Sequence, residues 1–175
     1  MKKTVIAVTA LILIACCAVG STLAWLIDRT EKVVNTFTVG DINITLTETA
    51  REYKMIPGNT IDKDPTVTVE KNSEACWLFV KIEKSANFDT FMTFEVADGW
   101  TALTGVDGVY YREVASSATD SAFSVLKDDA VKVKGEVTKA QLGALTDNTK
   151  PTLTFTAYAV QKDNIATAAA AWAKL

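Results

Sequence analysis

After residue 35, apolar and polar positions alternate along most of the chain with a period of two. Ile42, Ile44 and Leu46 interleave with Asn43, Thr45 and Thr47, the pattern of a half-buried strand. Phe37 and Val39 alternate on the opposite parity, so a bend or bulge is expected at Gly40-Asp41, where one strand would pass between the sheets of a sandwich. Val67 and Val69 point inward between Thr66, Thr68 and Glu70, just after Asp64-Pro65, whose proline is tolerated at a strand start. Cys76, Trp77, Leu78, Phe79 and Val80 are apolar on both parities, as a central strand covered on two faces requires. Met92, Phe94 and Val96, then Val131, Val133 and Val137, then Leu153, Phe155, Ala157 and Ala159 give three further alternating sets.

Turn chemistry divides these runs. Pro57-Gly58 marks one turn, and Asp107-Gly108 between 100–106 and 109–114 reads as a two-residue hairpin. Two short helices are expected. Thr138 and Gln141 form a capping box ahead of Leu142 and Leu145, which predicts a helix near 138–145. Asp163 is placed to cap an alanine-rich helix near 164–173, with Ile165, Ala169 and Trp172 on one face. About eight strands with regular punctuation predict an all-β fold, a jelly-roll-like antiparallel β-sandwich with two short helices.

The first residues follow a different pattern. Lys2 and Lys3 precede an uncharged apolar run from Thr4 to Val19, and small residues follow from Gly20 to Ala24. This is the layout of an export signal, with Thr22 and Ala24 at the −3 and −1 positions of a cleavage site before Trp25. The expected organisation is a signal peptide, helical in its apolar run, at 1–24, an N-terminal arm at 25–34 and a β-sandwich domain at 35–175. Two alternatives stay open at this end. The apolar run reaches Ile27 and is long enough to remain as a membrane anchor, and Leu13-Ile14-Ala15-Cys16 resembles a lipobox that would acylate Cys16.

Composition narrows the chemistry. The chain of 175 residues contains no histidine, which excludes histidine-ligated zinc, Ser-His-Asp triads and Cys-His dyads. Cys16 and Cys17 fall in the export segment, so Cys76 is alone in the remainder and has no intramolecular disulfide partner there. Without 1–24 the chain keeps 16 basic residues (18 less Lys2 and Lys3) against 21 acidic ones, a mildly acidic balance with no basic block to follow phosphates. No nucleic-acid partner, metal or cofactor is expected. Asp62 with Asp64, and Asp128 with Asp129, are the carboxylate pairs open to a metal reading, but pairs on polar turns are ordinarily solvated. Cys76 lies within an apolar strand, as a small hydrophobe does.

Gly20-Ser21-Thr22-Leu23-Ala24-Trp25-Leu26-Ile27-Asp28 resembles the signal-peptide junction used by the dedicated signal peptidase SipW. Asn35-Thr36-Phe37-Thr38-Val39-Gly40-Asp41-Ile42 is similar to the opening of the TasA/camelysin family. The stretch from Ile56-Pro57-Gly58 to Val67-Thr68-Val69-Glu70-Lys71-Asn72 is similar to the segment that follows in that family. The resemblance runs from about residue 15 to about residue 84. It implies an exported Gram-positive protein with a jelly-roll fold. It also implies, after the family's best-known member, a subunit of biofilm matrix fibres in which the N-terminal segment of one copy completes the sheet of the next.

Three functions follow as expectations. The first is a secreted structural protein of the cell surface or extracellular matrix, whose partner is a further copy of itself or a related matrix protein. Cleavage after Ala24 would free Trp25, Leu26 and Ile27, and with Val33, Phe37 and Val39 these form an apolar assembly arm that must be buried somewhere. The signal peptidase would be its processing partner, and the membrane a partner only during export or if uncleaved. The second is a monomeric adhesin or ligand-binding module that uses Trp77, Trp100, Tyr110 and Tyr111 as stacking faces. The third, a camelysin-type protease, lacks His-Glu-x-x-His and any histidine to build a variant of it, so no enzymatic activity is expected.

Overall fold

A computed structural model describes residues 41–49 and 53–175. Ten strands form the framework: β1 (Ile44–Thr47), β2 (Thr60–Asp62), β3 (Thr66–Val69), β4 (Cys76–Lys84), β5 (Met92–Val96), β6 (Thr101–Ala102), β7 (Val109–Val114), β8 (Ser121–Ser124), β9 (Leu126–Val133) and β10 (Leu153–Gln161). Three short helices join them: α1 (Phe88–Phe91), α2 (Lys139–Gly143) and α3 (Ala168–Trp172). Every strand pairing is antiparallel, and the fold is an all-β sandwich.

One layer is a four-stranded sheet in the order β10-β4-β7-β6. β4 is an interior strand, paired along its whole length with β10 and over Cys76–Lys81 with β7. Its even residues, Cys76, Leu78, Val80 and Ile82, enter the sandwich core with Val67, Val69, Val114 and Val125. Its odd residues Trp77 and Phe79 face outward, where Leu103, Val109, Ala168 and Ala171 cover them. The doubly apolar run is thus explained by a helix on one face and a sheet on the other.

The second layer consists of two three-stranded sheets, β1-β3-β8 and β2-β9-β5, related by a shared bend. β2 and β3 are consecutive halves of one run, and β8 and β9 are consecutive halves of another. Asp62 pairs with Ala130 and Thr66 with Ser124, so three residues (63–65) on one run face five (125–129) on the other. The excess is taken up by Asp128 and Asp129, both left-handed at φ 55° and 49°, a bulge that turns both runs together. Lys63 N–H donates to Asp129 O (2.6 Å) and Val125 N–H to Pro65 O (2.9 Å), closing the bend. The missing N–H of Pro65 falls in this gap in the ladder. The passage between sheets therefore occurs here, while the bend expected at Gly40-Asp41 reaches outside the described residues.

Several local expectations shift. The hairpin at Asp107-Gly108 has a six-residue connection, 103–108: Leu103 N–H still donates to Val109 O (2.8 Å), Val106 N–H donates to Leu103 O (3.2 Å), and the Leu103 side chain packs with Val109 beneath α3. Gly108 is required there: at φ +69°, a Cβ would lie 2.5 Å from Ile82 O. The capping box is present, with Gln141 N–H donating to Thr138 Oγ1 (3.2 Å) and Thr138 N–H to Gln141 Oε1 (2.8 Å), though the helix spans only Lys139–Gly143. The last helix starts later than expected and is capped by Thr167, not Asp163, with Ala168 and Ala171 buried in place of Ala169. Residues 162–165 form a turn in its stead, since Trp77 Nε1–H donates to Ile165 O (3.0 Å) and Ile165 N–H to Lys162 O (2.9 Å). The third helix, α1, was not expected. Phe88 and Phe91, one turn apart, are buried with Met92 and Val133 in the core beneath β2-β9-β5.

Candidate assembly face

The two sides of the sandwich differ. On one side lie the outer edges of β1 and β10, neither of which has a second strand partner among the described residues. β10 is nine residues long, Leu-Thr-Phe-Thr-Ala-Tyr-Ala-Val-Gln, with no charge and no proline. Those are the devices by which exposed edges ordinarily resist pairing. Between the two edges is a slot of about 370 Å³ whose apolar walls are Leu46, Pro65, Leu153 and Phe155. Leu46 is 37% exposed although its parity points inward. On the opposite side, Trp100 spans the gap between the layers and donates its Nε1–H to Ser124 O at 2.8 Å.

Lys63 forms the polar end of the slot. It is 8% exposed, its ammonium pairs with the Glu48 carboxylate, and it lies 5.2 Å from the Tyr53 ring centroid and 5.3 Å from that of Phe155. The Tyr53 hydroxyl donates to the same Glu48 oxygen at 3.0 Å. Burial, reinforced by that hydrogen bond to a carboxylate, pushes the Tyr53 phenol up to about 12, so it remains a donor at any physiological pH. Beyond Lys63 a second cavity of about 770 Å³ opens over an apolar floor that includes Met55, Ile61, Phe88, Met92 and Leu142.

One member of each carboxylate pair has a structural use. Asp64 accepts the Thr49 hydroxyl and the Thr49 N–H (2.9 Å), bonds that hold its carboxyl below the usual range. Asp62 is exposed on β2. Asp129 accepts the Ser124 hydroxyl within the bend. Among the described residues, no three His, Cys, Asp or Glu side chains converge as metal ligands. Cys76 is fully buried, and burial pushes its thiol up to about 11.

The aromatic residues weighed as a stacking platform are engaged in packing. Trp77 meets Tyr111 edge-on at 6.0 Å beneath the C-terminal segment, and Tyr110 packs into the inner core beside Trp100. The cleavage-site residues Thr22, Ala24 and Trp25, the arm residues Leu26, Ile27, Val33, Phe37 and Val39, and Cys16 all lie outside the described residues. No helix among the described residues is long and apolar enough to cross a membrane.

Sequence reasoning passed over Lys63, Glu48 and Tyr53. For Lys63 a signal existed: Ile61, Lys63, Pro65, Val67 and Val69 share one parity, and the structure turns all five inward. The period of two, carried four residues upstream of Val67, places a lysine on the core side. Comparison of the chain with family models, with curated proteins and with solved structures finds no match.

Proposed function

We propose that this chain is an exported, non-catalytic structural subunit of a cell-surface or extracellular matrix. In this reading it assembles by laying the N-terminal segment of one copy into the open side of the next. The observation that carries the proposal is the slot between the β1 and β10 edges, flanked by unpaired backbone and walled by Leu46, Pro65, Leu153 and Phe155. A strand added there would gain backbone hydrogen bonds from an edge, while its inward side chains would fill the slot. The occupant is drawn from the sequence. Residues 25–40 precede β1 and hold Trp25, Leu26, Ile27, Val33, Phe37 and Val39. Sixteen extended residues reach roughly 50 Å, enough to meet a neighbouring copy. The resemblance of the 20–28 and 35–42 motifs to the TasA/camelysin family supports the same reading.

The test compares protein beginning at Trp25 with protein beginning at Glu31, by circular dichroism and negative-stain microscopy. Both should give a β-rich spectrum, and only the longer form should polymerise. Equal assembly by the form starting at Glu31 would remove Trp25, Leu26 and Ile27 as the connector. A sharp monomer from both would favour the ligand-binding module.

A further inference from the structure

Arg112 is a charged residue on the inner face of the sandwich, level with Leu78 in the β4–β7 register. Its guanidinium carbon is 3.8 Å from the Phe123 ring centroid and 5.4 Å from that of Trp100. It therefore fills the side between the β6 and β8 edges, away from the assembly slot. Its Nε is wholly covered and has no hydrogen-bond acceptor. None of its N–H groups donates to an acceptor among the described residues, and no carboxylate there forms an ion pair with it. Lys63, Lys81, Lys84, Lys127, Lys150 and Lys162, by contrast, are all paired. Gly99 is left-handed at φ +87°, and a Cβ there would lie 3.1 Å from Nη2, so a side chain would crowd the guanidinium.

Stacking between two rings offsets part of the cost of desolvating a cation, but it cannot satisfy N–H bonds that lie in the guanidinium plane. Those bonds call for an acceptor in the same plane. Nη1 and Nη2 are not covered as Nε is, so they are the pair a ligand can reach. We propose that Arg112 is a receptor for a single carboxylate, taken end-on by Nη1 and Nη2 at the mouth between the β6 and β8 edges. The fork matches the two oxygens of a carboxylate. One guanidinium in a chain of net charge −3 suits a monoanion better than a phosphate dianion, which would meet the field of the remaining charges with one counter-charge.

The experiment is an NMR titration of the full-length protein with sodium acetate, following the Arg112 Nε–H and Trp100 indole N–H signals against sodium chloride and inorganic phosphate at matched ionic strength. Acetate should move both signals saturably, with a dissociation constant on the order of millimolar for one exposed fork. Arg112→Lys, which keeps the charge and loses the fork, should weaken acetate binding at least about tenfold with an unchanged circular dichroism spectrum. The proposal is overturned if acetate leaves both signals in place up to about 100 mM, if chloride or phosphate alone reproduces the shifts, or if Arg112→Lys binds acetate as well as the parent. Because the unsubstituted protein reports directly, an unfolded variant would leave the titration decisive.

Discussion

Substituting Lys63 and Glu48 singly and together measures how the slot between the β1 and β10 edges is held. Two unit charges about 4 Å apart attract by about 4 kcal/mol at an effective dielectric of about 20. Against this stand the desolvation of two largely buried side chains, 11% and 17% exposed, and the rotamer entropy of a fixed lysine, up to about 2 kcal/mol. A net coupling of about 1–2 kcal/mol remains. Lys63→Met keeps the aliphatic stem against Phe155 but leaves Glu48 with only the Tyr53 hydroxyl, at an expected cost of about 2 kcal/mol. Glu48→Gln leaves the ammonium over two rings, so its cost should be smaller, about 1 kcal/mol. With both charges gone, the double variant should be more stable than the sum of the single losses by at least about 1 kcal/mol. Urea unfolding followed by tryptophan fluorescence would show this as midpoint shifts of about 0.5–1 M. The coupling should persist in about 0.5 M salt, because a covered pair is screened little. Additivity within about 0.5 kcal/mol would refute the reasoning and reduce the pair to a surface contact.

Cys76 should resist alkylation at pH 8 in the folded protein and react quickly in urea, as read by peptide-resolved mass spectrometry at that residue; equal rates would contradict its burial. Its thiol is raised from 9.0 to about 11, so the folded state holds this proton more tightly than the unfolded chain does. The associated stability is therefore full below pH 9 and is lost as pH rises from 9 towards 11. Gly108→Ala and Gly105→Ala separate strain from crowding. Both sites are left-handed, but a Cβ at 105 meets nothing within 4 Å while one at 108 meets Ile82 O at 2.5 Å. Gly105→Ala should cost about 1–2 kcal/mol and Gly108→Ala at least about 1 kcal/mol more by urea unfolding; equal costs would show that the Ile82 contact yields freely.

What the sequence determined by itself is local and periodic. Alternation located the valines of β3 and the two-faced run of β4, because strand geometry sends successive side chains to opposite faces whatever lies beyond them. Thr138 and Gln141 made their reciprocal bonds because three residues of helix suffice to bring them together. Tertiary structure decided whatever depended on partners distant in the chain. The bend at 63–65 and 125–129 exists because two runs must turn in concert, which neither run records alone. The late start of α3 follows from Trp77, 88 residues before Ile165, claiming the carbonyl of that residue. The connection at 103–108 is anchored by Leu103, which is buried beneath Ala168 and Ala171 of α3, more than 60 residues further along the chain. The candidate face was hidden for the same reason. Glu48, Lys63 and Phe155 come from three separated segments, and only the closing of two layers brings their carboxylate, ammonium and ring together.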